Sequence, residues 1–148
     1  MRSGRIIFIL IGLIIVAAFF LSRSPRHQHP GVQGREFLLL SFEDFNTLVG
    51  GNDRMDAAQR KHIFEKYKSR YVRWSGEVGE VVKEISGDYI LHVKHLQTAG
   101  DFEVSVRFDK SKRPRLLLLK RGDAVNYMGR LVSWDSSSGY YLEDGDIE

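Results

Sequence analysis

Apolar and polar residues alternate along residues 71–82, a pattern typical of a β-strand with one buried face. Gly76 and Gly79 lie inside this run, and the alternation changes phase after Gly79. Glycine inside a strand usually marks a bulge or a sharp bend. We therefore predict one long, bent strand that serves two parts of a curved sheet. The positions on its buried face are Val72, Trp74, Gly76 and Val78.

The same alternation recurs in later segments that turn sequences separate from one another. It predicts strands at residues 89–94, at residues 102–108, from Gly122 to about Leu131, and at residues 140–142 before an acidic carboxyl end. Between the third and fourth strands, residues 116–119 predict either a short helical turn or a buried plug. The apolar positions assigned to the core are Tyr89, Leu91, Val93, Phe102, Val104, Val106, Phe108, Val125, Tyr127 and Leu131.

Two helices are predicted ahead of the first strand, at residues 41–49 and from residue 57 to about residue 68. Each begins with a capping-box pattern, in which a cap residue is followed three positions later by an acidic residue or glutamine. We expect both helices to lie against the barrel. Their apolar sides carry Phe42, Phe45, Leu48 and Val49, then Ile63, Phe64 and Tyr67.

Five short strands, a bent first strand and an apolar connector before the fourth strand predict a mainly β fold. The expected architecture is a five-stranded OB-fold Greek-key barrel with one or two preceding helices. The segments YKSRYVRWSGEVGEV, LLLLKRGDAVNYMGRL and YYLEDGDI resemble the tRNA-anticodon-like OB-fold family, of the membrane-anchored type whose function is unknown. The resemblance covers about residues 56–147 and implies OB architecture while leaving the activity open. The matching positions are Val72, Gly76, Val78, Leu116, Leu119, Gly122, Asp123, Val125 and Gly129.

An unbroken run of 16 apolar residues begins at Ile6 and ends at Leu21. As a helix it would span about 24 Å, just enough to cross a bilayer with the help of Ser22 and Arg23. We predict a transmembrane signal anchor at residues 1–23; a cleaved secretory signal is the alternative. A polar linker at 24–35 and a domain at 36–148 follow. We expect a single-pass membrane protein whose carboxyl-terminal domain is periplasmic or extracellular.

The net charge of +3 and the pI of about 9.2 suggest a polyanionic partner, but the charge is unevenly distributed. No acidic residue precedes Glu36, whereas the chain from Glu36 onwards carries 17 Lys+Arg and 19 Asp+Glu. The basic character therefore belongs to the segment that flanks the apolar run. A slightly acidic domain disfavours nucleic acid as a ligand.

No catalytic arrangement is evident in the sequence, and we expect neither an enzyme, a cofactor nor a metal site. The chain has no cysteine, which excludes a disulfide framework, a cysteine nucleophile and a lipid-modified cysteine. His27 and His29 lie in the linker without a third ligand. His92 and His95 are expected on opposite strand faces as surface histidines, which argues against a shared metal.

OB-folds bind ligands on the outer face of strands two and three, between the loops that follow strands one and four. This rule predicts a candidate ligand face at Arg73, His92, Lys94, Ser105, Arg107 and Trp134. We expect Trp134 in a loop, either closing the barrel end or touching the ligand. The face has cations but no aromatic row of the kind that single-strand binders use, because the alternation assigns the aromatic residues of the strands to the core.

A basic loop is the second candidate surface. It consists of Lys110, Lys112, Arg113, Arg115, Lys120 and Arg121. It is either a solvated loop or a contact for anionic lipid or an acidic partner. Our leading hypothesis is a membrane-anchored, non-catalytic OB-fold binding module outside the cytoplasm, with a protein or envelope component as ligand. The alternative is binding of single-stranded nucleic acid or an oligosaccharide.

Overall fold

The computed structural model describes residues 34–50, 55–96 and 102–148. The predicted anchor between Ile6 and Leu21 and nearly all of the predicted linker, with His27 and His29, lie outside the described residues. Within the described ranges no helix is both long and apolar enough to cross a membrane. Residues Arg35–Glu148 form a compact unit.

The chain folds into a closed barrel of five strands in the order β1-β2-β3-β5-β4. The strands are β1 (Tyr71–Lys83), β2 (Tyr89–Lys94), β3 (Val104–Phe108), β4 (Ala124–Asp135) and β5 (Gly139–Ile147). The β3–β5 pair is parallel, and the other four neighbouring pairs are antiparallel. This mainly β barrel, with helices ahead of β1, fits an OB-fold and confirms the predicted architecture.

The bend in β1 lets one strand pair with two neighbours. Its first half, up to Glu77, pairs with β4, and its second half, from Glu77 to Lys83, pairs with β2. The register with β2 slips between Val78 and Glu80, so Gly79 is the extra residue of a bulge. The predicted bent strand is confirmed, and its bulge changes which side chains of β1 face outwards.

Helices form in the two segments ahead of β1 where they were expected, and a third, short helix lies in the connector between β3 and β4. They are α1 (Phe42–Val49), α2 (Ala57–Glu65) and a short α3 (Arg113–Leu116) that follows a 3₁₀ turn at Lys110–Lys112. Asp56 and Gln59 form the predicted capping box, since each side chain accepts a hydrogen bond from the other's backbone N–H, at 2.8 and 3.1 Å. The second helix ends at Glu65 and not near residue 68, because the chain continues there as turns.

An aromatic cluster joins the helices to one end of the barrel. Phe45 contacts the rings of Trp74 and Tyr140, with centroids 5.6 and 5.5 Å apart. Trp74 is only 3% exposed, and its Nε1 donates a hydrogen bond to the Leu40 carbonyl oxygen at 2.9 Å. The predicted burial of Trp74 is confirmed. Leu48 was wrongly assigned to the packed side of α1, since it is 40% exposed.

The fifth strand is longer than its apolar pattern indicated. It continues through the acidic residues to Ile147 and pairs with β4 as far as Tyr127. The acidic end is therefore part of the barrel wall, where its carboxylates meet cations of neighbouring elements. Arg130 donates to Glu143 at 3.0 Å and to Asp144 at 2.7 Å. These ion pairs allow a strongly charged sequence to form a strand.

Candidate ligand-binding face

A small platform of three side chains lies on the outer face of β2 and β3. The His92 ring stacks on Phe102, with centroids 3.9 Å apart and 25° between the ring planes. His92 Nδ1 lies 2.9 Å from Ser105 Oγ, because β2 and β3 place these residues directly opposite each other. We call His92, Phe102 and Ser105 the His92 platform. It brings together two of the predicted ligand-binding residues.

His92 is held in its neutral form at neutral pH. Burial lowers the pKa of His92 below its usual value, and the negative charge of Glu80 only partly opposes this shift. Glu80 lies opposite His92 across the β1–β2 pair because the bulge at Gly79 shifts the register of β1 by one residue. The platform therefore offers an uncharged planar ring and a hydroxyl group, which suit stacking and hydrogen bonding.

Phe102 is the residue of this face that the sequence analysis missed. The alternation at residues 102–108 placed Phe102 in the core together with Val104, but β3 begins only at Val104. Phe102 precedes the strand and lies partly exposed on the outer surface. A residue beside a turn need not follow the strand's period of two. The position of Phe102 next to the preceding turn was therefore the sequence signal that it could lie outside the core. The assignment of Phe102 to the core is wrong, although one phenylalanine does not form the row of aromatic residues that was expected to be absent.

Arg107 faces outwards from β3, but its charge is already engaged. The guanidinium lies 3.1 Å from Glu84, 2.7 Å from Asp88 and 3.7 Å from Glu143. The hydrogen bond that Arg107 donates to the Asp88 carboxylate is the largest influence that raises the pKa of Arg107. This arginine therefore ties the β1–β2 turn and β5 to β3, and a ligand phosphate would have to compete with three carboxylates.

The structure separates the two other predicted cations. Arg73 lies on the half of β1 that pairs with β4; it forms an ion pair with Glu148 at 2.7 Å and stacks over Phe37. It is not part of the His92 platform. Lys94 lies two residues after His92 on β2, opposite Glu77, and takes part in no ion pair between described residues. Of these cations, Lys94 is the one that remains beside the platform.

Trp134 belongs to β4 and not to the loop in which it was expected. It pairs with Tyr140 of β5, because the β4–β5 hairpin continues to Asp135 and Gly139. The indole packs partly against the core and lines a depression that also includes Phe102 and Gly50. The Phe102 ring thus borders both the His92 platform and the Trp134 depression.

His95 is a partly buried residue packed against α1 and not the expected surface histidine. Its ring stacks on Phe42 of α1 with centroids 3.9 Å apart, and its Nε2 lies 2.7 Å from the Tyr127 hydroxyl oxygen. Burial lowers the pKa of His95 to about 4, although the charges of Glu43 and Glu103 oppose the shift. His92 and His95 do point to opposite faces, as predicted. No metal-binding group of three or more suitable side chains occurs among the residues that the structure describes.

The segment that was predicted as a basic loop is helical over its first half. The Asp109 side chain accepts a hydrogen bond from the Ser111 N–H at 2.8 Å and begins the 3₁₀ turn, and Pro114 lies in the first turn of α3, where it is tolerated. Leu116 is fully buried, so both readings of this connector hold: it is a helical turn and a plug. Lys112 forms an ion pair with Asp146 at 2.7 Å.

No family model matches this chain, and no curated protein matches it. Among solved structures, the chain is similar to a "putative nucleic acid-binding lipoprotein" from Klebsiella pneumoniae subsp. pneumoniae MGH 78578, at 15% identity and a TM-score of 0.56, over 82% of this chain and 98% of that one. It is also similar to the Stn1-Ten1 complex of S. pombe, at 17% identity and a TM-score of 0.39, over 53% of this chain and 57% of that one. At these identities the likeness concerns the fold. The similarity to the Klebsiella protein supports an OB-type barrel, and not the tRNA-anticodon-like family in particular.

Proposed function

We propose that this chain is a non-catalytic OB-fold binding module that holds a protein or another envelope component on the outer face of β2 and β3, around the His92 platform. The observation that carries this proposal is the combination of a partly exposed aromatic stack with an arginine, Arg107, whose charge is already ion-paired. Such a surface suits a ligand with planar or apolar groups and few charges.

The charge pattern supports a protein ligand over a polyanion. Binding to a nucleic-acid backbone depends on several cations that neutralise phosphates. On this face Arg107 is surrounded by Glu84, Asp88 and Glu143, and Glu80 lies opposite His92. Lys94 alone would add little attraction for a phosphate chain.

The contact between His92 and Ser105 is the nearest approach to a catalytic pair, and its surroundings support a binding role. A serine nucleophile needs a histidine whose other nitrogen is oriented by a third group. Glu80 influences His92 through its charge, but no hydrogen bond joins these two side chains among the described residues. We therefore assign His92 and Ser105 to binding.

Single-stranded nucleic acid is the second candidate ligand, and Phe102 is the observation that favours it. Bases stack on exposed aromatic rings, with about 1–3 kcal/mol for each base. Phe102 and Arg121 line one small cleft together with Gly79 and Glu80, so a base on the ring could have its phosphate near a guanidinium. The Klebsiella protein is described as a "putative nucleic acid-binding lipoprotein", which makes this ligand worth testing here.

Two measurements distinguish the candidates. In fluorescence anisotropy with a labelled oligo-dT, we expect weak binding that Phe102→Ala hardly changes. Micromolar affinity with a steep salt dependence, lost in Phe102→Ala, would instead establish the nucleic-acid function. In cells, a photo-crosslinking amino acid at Ser105 should capture a discrete protein, whereas the same group at exposed Ser133 on β4 serves as the matched control. Identical products from both sites would contradict a protein ligand on this face.

The membrane anchor and the exported location also belong to this proposal. They rest on the apolar run from Ile6 to Leu21. A reporter enzyme fused after Glu148 should be active only in the exported compartment, and cytoplasmic activity would reverse the orientation. Kinship with the tRNA-anticodon-like family is likewise proposed, on the strength of Val72, Gly76 and Gly129 at the family's positions.

A further inference from the structure

Two leucines of the connector between β3 and β4 point away from the barrel. Leu117 is 57% exposed and Leu118 is 77% exposed, although the neighbouring Leu116 is fully buried and Leu119 packs against the core. The outer pair of this four-leucine run therefore forms an apolar patch at the surface. Burying these side chains in the barrel would have been favourable, so their exposure needs an explanation.

The segment that carries the two leucines is firmly held on both sides. Before them, Arg115 donates a hydrogen bond to the Ile147 carbonyl oxygen at 3.0 Å, and Lys112 is paired with Asp146. After them, the Gly122 N–H donates to the Val78 carbonyl oxygen at 2.8 Å, and the Val78 N–H donates to the Asp123 carbonyl oxygen at 2.9 Å. Because the segment is already held in one conformation, a partner would not have to order it on binding. This lowers the entropic cost of binding.

Exposed cations flank the leucine pair in the sequence. Arg113 precedes it, and Lys120 and Arg121 follow it; Lys110 lies at the start of the same connector. None of these four takes part in an ion pair within residues 34–50, 55–96 and 102–148. The two acidic residues closest in sequence accept local backbone hydrogen bonds, Asp109 from Ser111 and Asp123 from Lys120. The positive charge around the leucines is thus available to an outside partner.

We propose that this basic leucine tip, residues 110–121, docks onto an anionic lipid surface. Leu117 and Leu118 enter the boundary between headgroups and acyl chains, and Lys110, Arg113, Lys120 and Arg121 contact lipid phosphates. Apolar side chains bordered by Lys and Arg are the pattern of segments that lie in a membrane interface. The charge complementarity decides the kind of bilayer, because each Lys or Arg near an anionic surface adds a further attraction. Arg121 at the end of the tip also lines the cleft next to Phe102, whereas Leu117 and Leu118 are not part of the His92 platform.

The full-length chain reconstituted into lipid vesicles allows a direct test. Since the chain contains no cysteine, Leu118→Cys provides a unique attachment point for an environment-sensitive dye. Ile85→Cys is the matched control, because Ile85 is a fully exposed apolar residue in the β1–β2 turn, beside Glu84 and away from any cation cluster in the sequence. The dye at Leu118 should shift to the blue and be quenched by lipid-borne quenchers in vesicles that contain phosphatidylglycerol. In vesicles of phosphatidylcholine alone this response should be much weaker, and the dye at Ile85 should respond in neither.

A charge variant separates lipid contact from simple crowding at the vesicle. Arg113→Gln combined with Lys120→Gln should lower the ratio of docked to free tip about tenfold or more, since each cation near an anionic surface contributes about a fivefold effect. Both residues lie outside the His92 platform, so ligand binding there should be unchanged. Equal quenching in the two kinds of vesicle, or equal quenching at Leu118 and Ile85, would overturn the proposal. A blue shift that requires an added acidic protein or oligonucleotide, and not the lipid, would assign the tip to that partner instead.

Discussion

Gly76 offers a sharp test of how tightly the barrel closes around the bend in β1. An ideal Cβ on Gly76 would lie 2.5 Å from Val93 Cγ1 and 3.0 Å from the Lys94 carbonyl oxygen. Carbon atoms in ordinary contact are about 3.5–4.0 Å apart. Val93 is completely buried, and its Cγ atoms are too close to the backbone to swing aside. Gly76→Ala must therefore move β1 and β2 apart, or displace Val93, by about 1 Å.

The expected loss of stability combines two opposing effects. Forcing an extra carbon into a well-packed core costs about 1–3 kcal/mol. Replacing glycine by alanine also stabilises the folded state by about 0.5–1 kcal/mol, because glycine loses more conformational freedom on folding. We expect Gly76→Ala to lower the free energy of unfolding by about 1–2 kcal/mol, and Gly76→Val to lower it by more, even though valine is the better strand former.

Urea unfolding of the Arg35–Glu148 unit, which contains every buried core residue described, is the suitable measurement. The decisive control is the double variant with Val93→Ala, which removes the carbon that the new Cβ meets. In the Val93→Ala background, Gly76→Ala should lower the free energy of unfolding by clearly less. The coupling free energy between the two substitutions should be at least about 0.5 kcal/mol. Gly129→Ala should fall between the parent and Gly76→Ala, since its Cβ would meet Leu142 Cβ at 3.0 Å.

Two results would refute this reasoning. One is a Gly76→Ala variant that is as stable as the parent, which would mean that the strands separate without cost. The other is strict additivity with Val93→Ala, which would mean that Val93 is not the obstacle. Either result would remove the argument that this glycine is required by the curvature of the barrel.

Two further predictions concern the cluster that joins the helices to the barrel. Trp74→Ala should destabilise the domain by about 3–5 kcal/mol, since it removes a buried ring and the hydrogen bond to Leu40; thermal unfolding within about a degree of the parent would contradict this estimate. His95 should make the free energy of unfolding depend on pH, because its pKa of about 4 in the folded protein lies below the unfolded value of 6.5. Its contribution is fully present above pH 6.5 and is lost as the pH falls towards 4, by at most about 3 kcal/mol. A His95→Gln variant should show a smaller change in that window, and an unchanged profile would show that His95 does not titrate there.

Much of the barrel could be predicted from local sequence pattern. The buried positions of β2 followed directly from alternation, because successive side chains on any strand point to opposite faces. The caps of α1 and α2 followed from Ser41 and Asp56, since a cap involves only residues within one turn. The bulge followed from Gly79, which lies where the alternation changes phase. In each case the physical cause lies within a few residues of its effect.

The candidate site was predictable only in part. The alternation placed His92 and Ser105 on the outer face, and the barrel's register then set them opposite each other. Phe102 was misassigned because the pattern was extended beyond the start of β3. Arg107 was predicted as a cation of the ligand face, and the sequence did not indicate that Glu84, Asp88 and Glu143 surround it.

The sequence by itself thus determined the strands, the helix caps, the bent β1 and the faces on which most side chains lie. The tertiary structure alone decided which charges neutralise one another, that His95 stacks on Phe42, and that Phe102 stacks on His92. The reason is physical. Strand periodicity and capping depend on covalent geometry over a few residues, whereas ion pairing and burial depend on distances between residues far apart in the chain. Those distances exist only once the barrel has closed.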